Sequence, residues 1–156
     1  MTQKTTCTGP KIALYQPDIP QNTAAIIRTC ACLGVGLEII KPCGFFLSDA
    51  RFKRVVMDYM DISSIKFYES YEEFRGVKKN KRVILATTKA KELYTNFKYK
   101  NDDTLLFGRE SSGVPETLHQ DIKYKIKIPI MENKRSLNLA TSAAIIISES
   151  LRQILY

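Results

Sequence analysis

Histidine is almost missing from this chain, which has His119 alone, and its four cysteines (Cys7, Cys30, Cys32, Cys43) form no CxxC pair. A structural zinc site needs several such ligands at short spacing, so no metal is expected. Cys30 and Cys32 fall in a predicted helix, where residues two apart point in different directions. They are read as buried thiols, and nothing indicates a disulfide scaffold or an oxidising compartment. Long apolar runs are also missing: none reaches transmembrane length. The first ten residues are polar and end in Gly9-Pro10, without the apolar core of a signal peptide. The expectation is a cytoplasmic protein with no membrane association. No GxxxxGK[ST] element occurs, which excludes a P-loop. Gly34-Val35-Gly36 follows a helix and precedes a strand, the reverse of a dinucleotide-binding turn. His119 has no Ser or Cys nucleophile placed by a motif, and reads as a surface or packing residue.

What is present fits one domain: 156 residues with an apolar fraction of 44%, enough to bury a core. A tail over residues 1–10 precedes it. The 24 Lys and Arg against 16 Asp and Glu leave a net charge of +8. Such an excess favours a polyanionic partner, because Lys and Arg facing phosphates release counterions; it equally serves solubility. Basic clusters at Arg51-Phe-Lys-Arg54 and Lys78-Lys-Asn-Lys-Arg82 fit either an RNA surface or a solvated face.

Strand-like and helix-like segments alternate. Strands are expected at Ile12–Tyr15, Leu37–Ile40, Ile65–Tyr68, Arg82–Thr87, Thr104–Phe107 and Tyr124–Ile128. A first helix capped by Asn22 or Thr23 runs through about Leu33, with Gly34 as its stop. Ser48–Met57 is a basic amphipathic helix, Tyr71–Phe74 belongs to a short one, and Pro115 announces another. The last runs from about Leu137 to Leu155, with Leu139, Ala143, Ile146, Ile147, Ser150 and Ile154 at helical spacing. This alternation implies an α/β fold: a mostly parallel sheet flanked by helices on both faces. The spread of Ile146, Ile147 and Ile154 exceeds one narrow stripe and suggests a homodimer.

Two strand ends carry the polar chemistry. Leu105-Leu-Phe-Gly-Arg-Glu-Ser-Ser-Gly-Val-Pro115 leaves a strand with Gly108, Glu110 and Gly113 in its turn, where glycine permits close approach of backbone to a ligand. Taken alone it is also an ordinary turn before a helix. Ile128-Pro129 leads into Asn133, Lys134, Arg135, Ser136 and Asn138, five polar residues in six positions just ahead of an apolar helix; Ser136 or Asn138 equally suits an N-cap. Open α/β sheets bind ligands at such carboxyl ends, and two together suggest one composite pocket. Early in the chain, Arg28 places a guanidinium on an otherwise apolar helix, where it either orders an anion or hydroxyl or makes a surface salt bridge.

With Tyr15-Gln-Pro-Asp-Ile-Pro-Gln-Asn-Thr23 and Ile26-Ile-Arg28, Ala86-Thr-Thr-Lys89, Phe107-Gly-Arg-Glu110 and Arg135-Ser-Leu-Asn138, the chain resembles the SpoU class of RNA ribose methyltransferases from about Lys11 to Tyr156. Within it the likeness is greatest to the compact, single-domain TrmL branch, larger relatives carrying an RNA-binding extension before the first motif. The resemblance implies a SPOUT fold with a deep C-terminal trefoil knot and S-adenosylmethionine bound bent in the knotted loops. It also implies a homodimer with active sites built from both subunits. The expected reaction is 2'-O-methylation of the wobble nucleotide, cytidine or modified uridine, in the anticodon loop of tRNAs such as those for leucine. Cofactor contacts fall by analogy on Ala86, Gly108, Ile128 and Ser136. Arg28 matches the arginine that assists deprotonation of the ribose hydroxyl, and Asn22, Glu110 and Asn138 match polar positions around the reaction centre. Departures stand at Arg109, where relatives usually have proline, and at Ser112, Ala140, Thr141 and Ser148. Two rivals remain: methylation of another tRNA or rRNA ribose, and a non-catalytic RNA-binding protein that kept the fold.

Overall fold

The chain order is β1 (Lys11–Tyr15), α1 (Pro20–Leu33), β2 (Leu37–Ile40), α2 (Ala50–Tyr59), β3 (Lys66–Tyr68), α3 (Tyr71–Val77), β4 (Val83–Ala86), β5 (Glu92–Leu93), β6 (Thr104–Phe107), α4 (Glu116–Asp121), β7 (Tyr124–Lys127) and α5 (Leu139–Leu155). These elements come from a computed structural model that describes residues 9–59, 61 and 64–156. Among the described residues the strands form one sheet ordered β3-β2-β1-β6-β4-β7-β5, with every neighbouring pair parallel. The expected α/β architecture is therefore present. The two-residue edge strand β5 was not expected, being too short to show a period.

Period-two alternation sends each strand's residues to two separate cores. Ile12, Leu14, Leu37, Ile39, Ile84, Leu105, Phe107 and Ile126 pack with Ile26, Ile27 and Cys30 of α1, Phe52 and Val56 of α2, and Ala143, Ile146, Ile147 and Leu151 of α5. Ala13, Tyr15, Ile40, Val83, Leu85 and Leu106 face the other way, onto Tyr71 and Phe74 of α3 and Leu118 of α4. Covering both faces explains why the strands read as continuous apolar runs. It also answers the apolar surplus on α5: Ile146 and Ile147 are fully buried and Ile154 packs against the same core. Those residues give no reason to invoke a second subunit.

Several local expectations shift. Helix α1 starts at Pro20 with Ile19 at its N-cap and no side-chain cap of its own, so neither Asn22 nor Thr23 caps it; a proline suits the first helical turn because its missing N–H has no partner there. Gly34 ends it in the left-handed region at φ 69°. Helix α2 begins later than Ser48 because the Asp49 carboxylate accepts from the amides of Arg51 and Phe52 at 2.8 and 3.2 Å. Cys30 is buried, but Cys32 faces solvent, since two residues along a helix is more than half a turn. Cys7, and residues 1–8 of the tail, lie outside the described residues, while Pro10 is buried.

Two of the four basic residues in the Lys78–Arg82 cluster turn out to be structural, while Lys79 and Lys81 are exposed. Lys78 is buried and its Nζ lies 2.9 Å from Glu38 on β2, whose carboxylate also accepts from the Tyr68 hydroxyl at 3.2 Å. Arg82 makes a two-pronged contact to buried Asp103, both at 2.7 Å, and stacks between Phe97 and Tyr124. By contrast Arg51, Lys53 and Arg54 on α2 are exposed.

Candidate active site

Strands β6, β4 and β7 are neighbours, so the loops leaving their carboxyl ends converge. With the approach to α5 they enclose a cavity of about 630 Å³, within the range of small-ligand pockets. Leu85, Phe107, Ile126 and Ile146 line its floor, and the loop residues Thr87–Lys89, Gly108–Val114 and Arg135–Asn138 its rim.

The loop after β6 is a tight hairpin. Arg109 N–H donates to the Gly113 carbonyl at 3.1 Å and Gly113 N–H returns to the Arg109 carbonyl at 2.8 Å. This closeness is what requires glycine at 108: an added Cβ would lie 2.7 Å from both C and Cα of Gly113. Gly113 in turn sits at φ 67°, where other residues are strained. Close approach within the loop itself is thus a reason for glycine at 108 beside the expected close approach to a ligand.

The Glu110 carboxylate reaches back to the start of α1, accepting from the amides of Asp18 at 2.7 Å and Ile19 at 3.3 Å, and more distantly from Asn22 Nδ2 at 3.5 Å. It performs the capping that Ile19 cannot, and its negative charge suits a helix N-terminus. Asn138 caps α5, its Oδ1 accepting from the amides of Ala140 and Thr141 at 2.9 and 3.2 Å, while its Nδ2 donates to Asn22 Oδ1 at 2.9 Å. One hydrogen-bonded line, Glu110–Asn22–Asn138, therefore joins three segments far apart in the chain and fixes the amide orientation of both asparagines.

Asp18 makes a second tie. Its carboxylate accepts from the Arg109 guanidinium, from Ser111 Oγ at 2.6 Å and from the Ser111 amide at 3.1 Å. The Arg109 hydrogen bonds, with help from Ser111 and against desolvation, hold its carboxyl well below the usual carboxylate range. Arg109 also reaches the Gln16 amide oxygen at 3.4 Å. Beside the same turn, burial pushes the Cys43 thiol up to about 11, which keeps it neutral and unreactive.

Residues 10–148 match the SpoU rRNA Methylase family. The chain belongs to that family. It is 46% identical over 145 residues to the tRNA (cytidine(34)-2'-O)-methyltransferase of Beijerinckia indica, across 92% of this chain and 91% of that protein. A solved structure described as giving structural insights into the 2-OH methylation of C/U34 on tRNA superimposes with a TM-score of 0.88 at 34% identity, covering 94% of this chain and 97% of its own. The SpoU methyltransferase AviRb from Streptomyces viridochromogenes, solved with AdoMet, shares the fold, with a TM-score of 0.81 at 20% identity over 96% of this chain and 59% of that one.

The SpoU motifs converge as the cavity is built. Asn22, Ala86, Gly108, Glu110, Ile128, Ser136 and Asn138 all line it. Arg28 does not: it is exposed on α1, its guanidinium 4.9 Å above the Tyr59 ring. Two further groups were not singled out from the sequence. Arg109 stood only as a departure from the SpoU pattern, and its partner Asp18 was part of the first motif without a role of its own. His119 lines the cavity, although a lone histidine gave no motif by which to find it.

Proposed function

We propose that this SpoU member methylates the ribose 2'-hydroxyl of nucleotide 34 of tRNA, cytidine or modified uridine, with S-adenosylmethionine as methyl donor. The carrying observation is the Glu110–Asn22–Asn138 line, which draws three motif segments into one cavity. The named activity of the relative at 46% identity supports the substrate; leucine tRNAs rest on the branch resemblance, and a cytoplasmic setting suits a tRNA-modifying enzyme.

The cavity suits the donor. An apolar floor can take a nucleoside, and the loop backbone at Ala86, Gly108, Ile128 and Ser136 offers the polar groups to orient it. When bound, S-adenosylmethionine supplies a sulfonium-activated methyl group, chemistry that calls for no metal. The protein's own part is orientation, which contributes strongly when reacting atoms are held in line. Asn22 and Asn138, locked by their mutual hydrogen bond and by the α5 cap, present fixed amides at the cavity edge. Arg28 would bring its guanidinium to the ribose hydroxyl and stabilise the developing alkoxide.

Because Arg28 lies outside the cavity of its own chain, the proposal includes a homodimer in which it serves the partner's cavity. Exposed Leu33 on α1 and exposed Leu155 and Tyr156 at the end of α5 support an apolar contact there. For the tRNA, exposed Lys134 and Arg135 beside the cavity and Arg51, Lys53 and Arg54 on α2 supply positive charge. The knotted threading of the C-terminal segments belongs to the same proposal, supported by β4 lying between β6 and β7.

Mass spectrometry of nucleosides from unmodified tRNA treated with the protein and labelled S-adenosylmethionine tests the reading. Labelled 2'-O-methylcytidine or 2'-O-methyluridine mapped to position 34 is expected. Label elsewhere would favour a different tRNA or rRNA ribose, and RNA binding without label the non-catalytic alternative.

A further inference from the structure

Resting on the tRNA reading above, we propose that Phe46 stacks on a base of the single-stranded anticodon loop beside the methylated nucleotide and anchors that loop at the cavity. All strands of the sheet run parallel, so the loop leaving β2 emerges at the same edge as the loops that enclose the cavity. It is fastened to the turn before α1: Gly44 N–H donates to the Pro17 carbonyl at 2.9 Å, and a Cβ at Gly44 would lie 3.0 Å from the Asp18 Cα. The Asp18 amide is in turn held by Glu110 on the cavity rim. Phe46 follows Gly44 by two residues and therefore stays within about 7 Å of it along the chain.

Side chains alternate along this loop. Cys43, Phe45 and Leu47 pack inward on the core, with the Phe45 ring 5.2 Å from that of Phe52 on α2. The same alternation turns Phe46 outward, where it is 83% exposed. Its carbonyl accepts from the Asp49 amide at 3.0 Å, so the ring stands on a fixed backbone, and with two rotatable bonds it has little freedom to lose on binding. A single exposed apolar residue means nothing by itself; the setting points to RNA. Directly after it Arg51, Lys53 and Arg54 project from α2 into solvent, and Arg51 and Arg54, three apart, share one face of the helix. An aromatic ring beside fixed cations suits a single strand, whose bases stack on the ring while the cations meet its phosphates. A second copy of this chain fits worse. In a two-fold dimer through this patch the same surface would meet itself, cation against cation.

The test measures affinity of the full chain for a synthetic anticodon stem-loop RNA, and for an RNA duplex of equal length without a loop, by fluorescence anisotropy over a series of salt concentrations. Phe46→Ala should bind the stem-loop roughly five- to hundredfold more weakly, the worth of one stacked base. Its salt dependence should match the wild type, because no phosphate contact is lost, whereas Arg54→Ala should flatten it. Phe46→Trp should bind at least as well as the wild type, and Phe46→Leu, apolar but without a π-face, should lose nearly as much as Phe46→Ala. Duplex affinity, S-adenosylhomocysteine affinity and melting temperature should stay at wild-type values in all three Phe46 variants. Unchanged stem-loop affinity in Phe46→Ala, with the wild type binding and methylating, would overturn the inference and leave the tRNA reading intact. An equal loss on the duplex would overturn base stacking, and a dimer mass that falls to the monomer mass in Phe46→Ala would place the ring between copies instead. Failure of the wild type to bind the stem-loop would overturn the tRNA reading along with it.

Discussion

Replacing Gly108 with alanine tests whether this position serves the loop. The new Cβ would sit 2.7 Å from the Gly113 backbone, whereas ordinary contact begins near 3.4 Å, so the strands of the hairpin must part by about 0.7 Å. Backbone cannot rotate away as a side chain does, and the two hydrogen bonds between Arg109 and Gly113 are the first to go. At about 0.5–1.5 kcal/mol each the loss is about 1–3 kcal/mol. For a domain of this size that corresponds to a fall in Tm of roughly 2–12 °C. Opening the hairpin also displaces Glu110 from the start of α1, so affinity for S-adenosylhomocysteine should drop in the same variant. Gly76→Ala is the control: its Cβ meets nothing within 4 Å and it lies in helix α3, where alanine should raise stability by up to about 1 kcal/mol. Calorimetric melting and ligand titration on the three proteins decide the matter. A Gly108→Ala protein with wild-type Tm and affinity would refute the steric account.

Arg28→Ala should abolish methyl transfer while leaving S-adenosylhomocysteine affinity within a few-fold, and Arg28→Lys should restore little because an ammonium lacks the planar fork; near-wild-type single-turnover rates on unmodified tRNA would remove Arg28 from the chemistry. The depressed Asp18 carboxyl contributes stability that is present above the ordinary carboxylate range and lost as pH falls through its lowered folded value. Arg109→Ala removes the main cause of that depression, so acid unfolding followed by circular dichroism should begin at higher pH than in the wild type. Light scattering at micromolar concentration should give twice the 17.8 kDa chain mass; the monomer mass would contradict the shared active site.

The alternation of strands and helices was legible because both faces of the sheet are covered, which leaves continuous apolar strands separated by amphipathic helices. The strand-end loops were legible because glycine and polar residues interrupt that pattern at Gly108 and again from Asn133 to Asn138. What could not be read were partnerships at long range. Nothing in Asp18 announces that it will meet Arg109, and nothing in Glu110 announces that it will cap α1. Lys78 reads as one of a solvated basic run, yet it is buried on Glu38, an acid itself hidden inside the strand Leu37–Ile40. His119 stayed silent because lining a cavity is a property of three-dimensional surroundings, with no local pattern to mark it.

The line from Glu110 through Asn22 to Asn138 spans 88 and then 116 residues of sequence. Contacts of that separation form late in folding, because chain must be closed into a long loop before they return any energy. The cavity therefore comes into being only once the final helix has docked on the first. A ligand held there sees only the completed molecule, and at a concentration a hundred times its dissociation constant adds about 2.7 kcal/mol to global stability. Hydrogen exchange should then slow together at amides of α1 and α5, helices at opposite ends of the chain, when the cavity is filled.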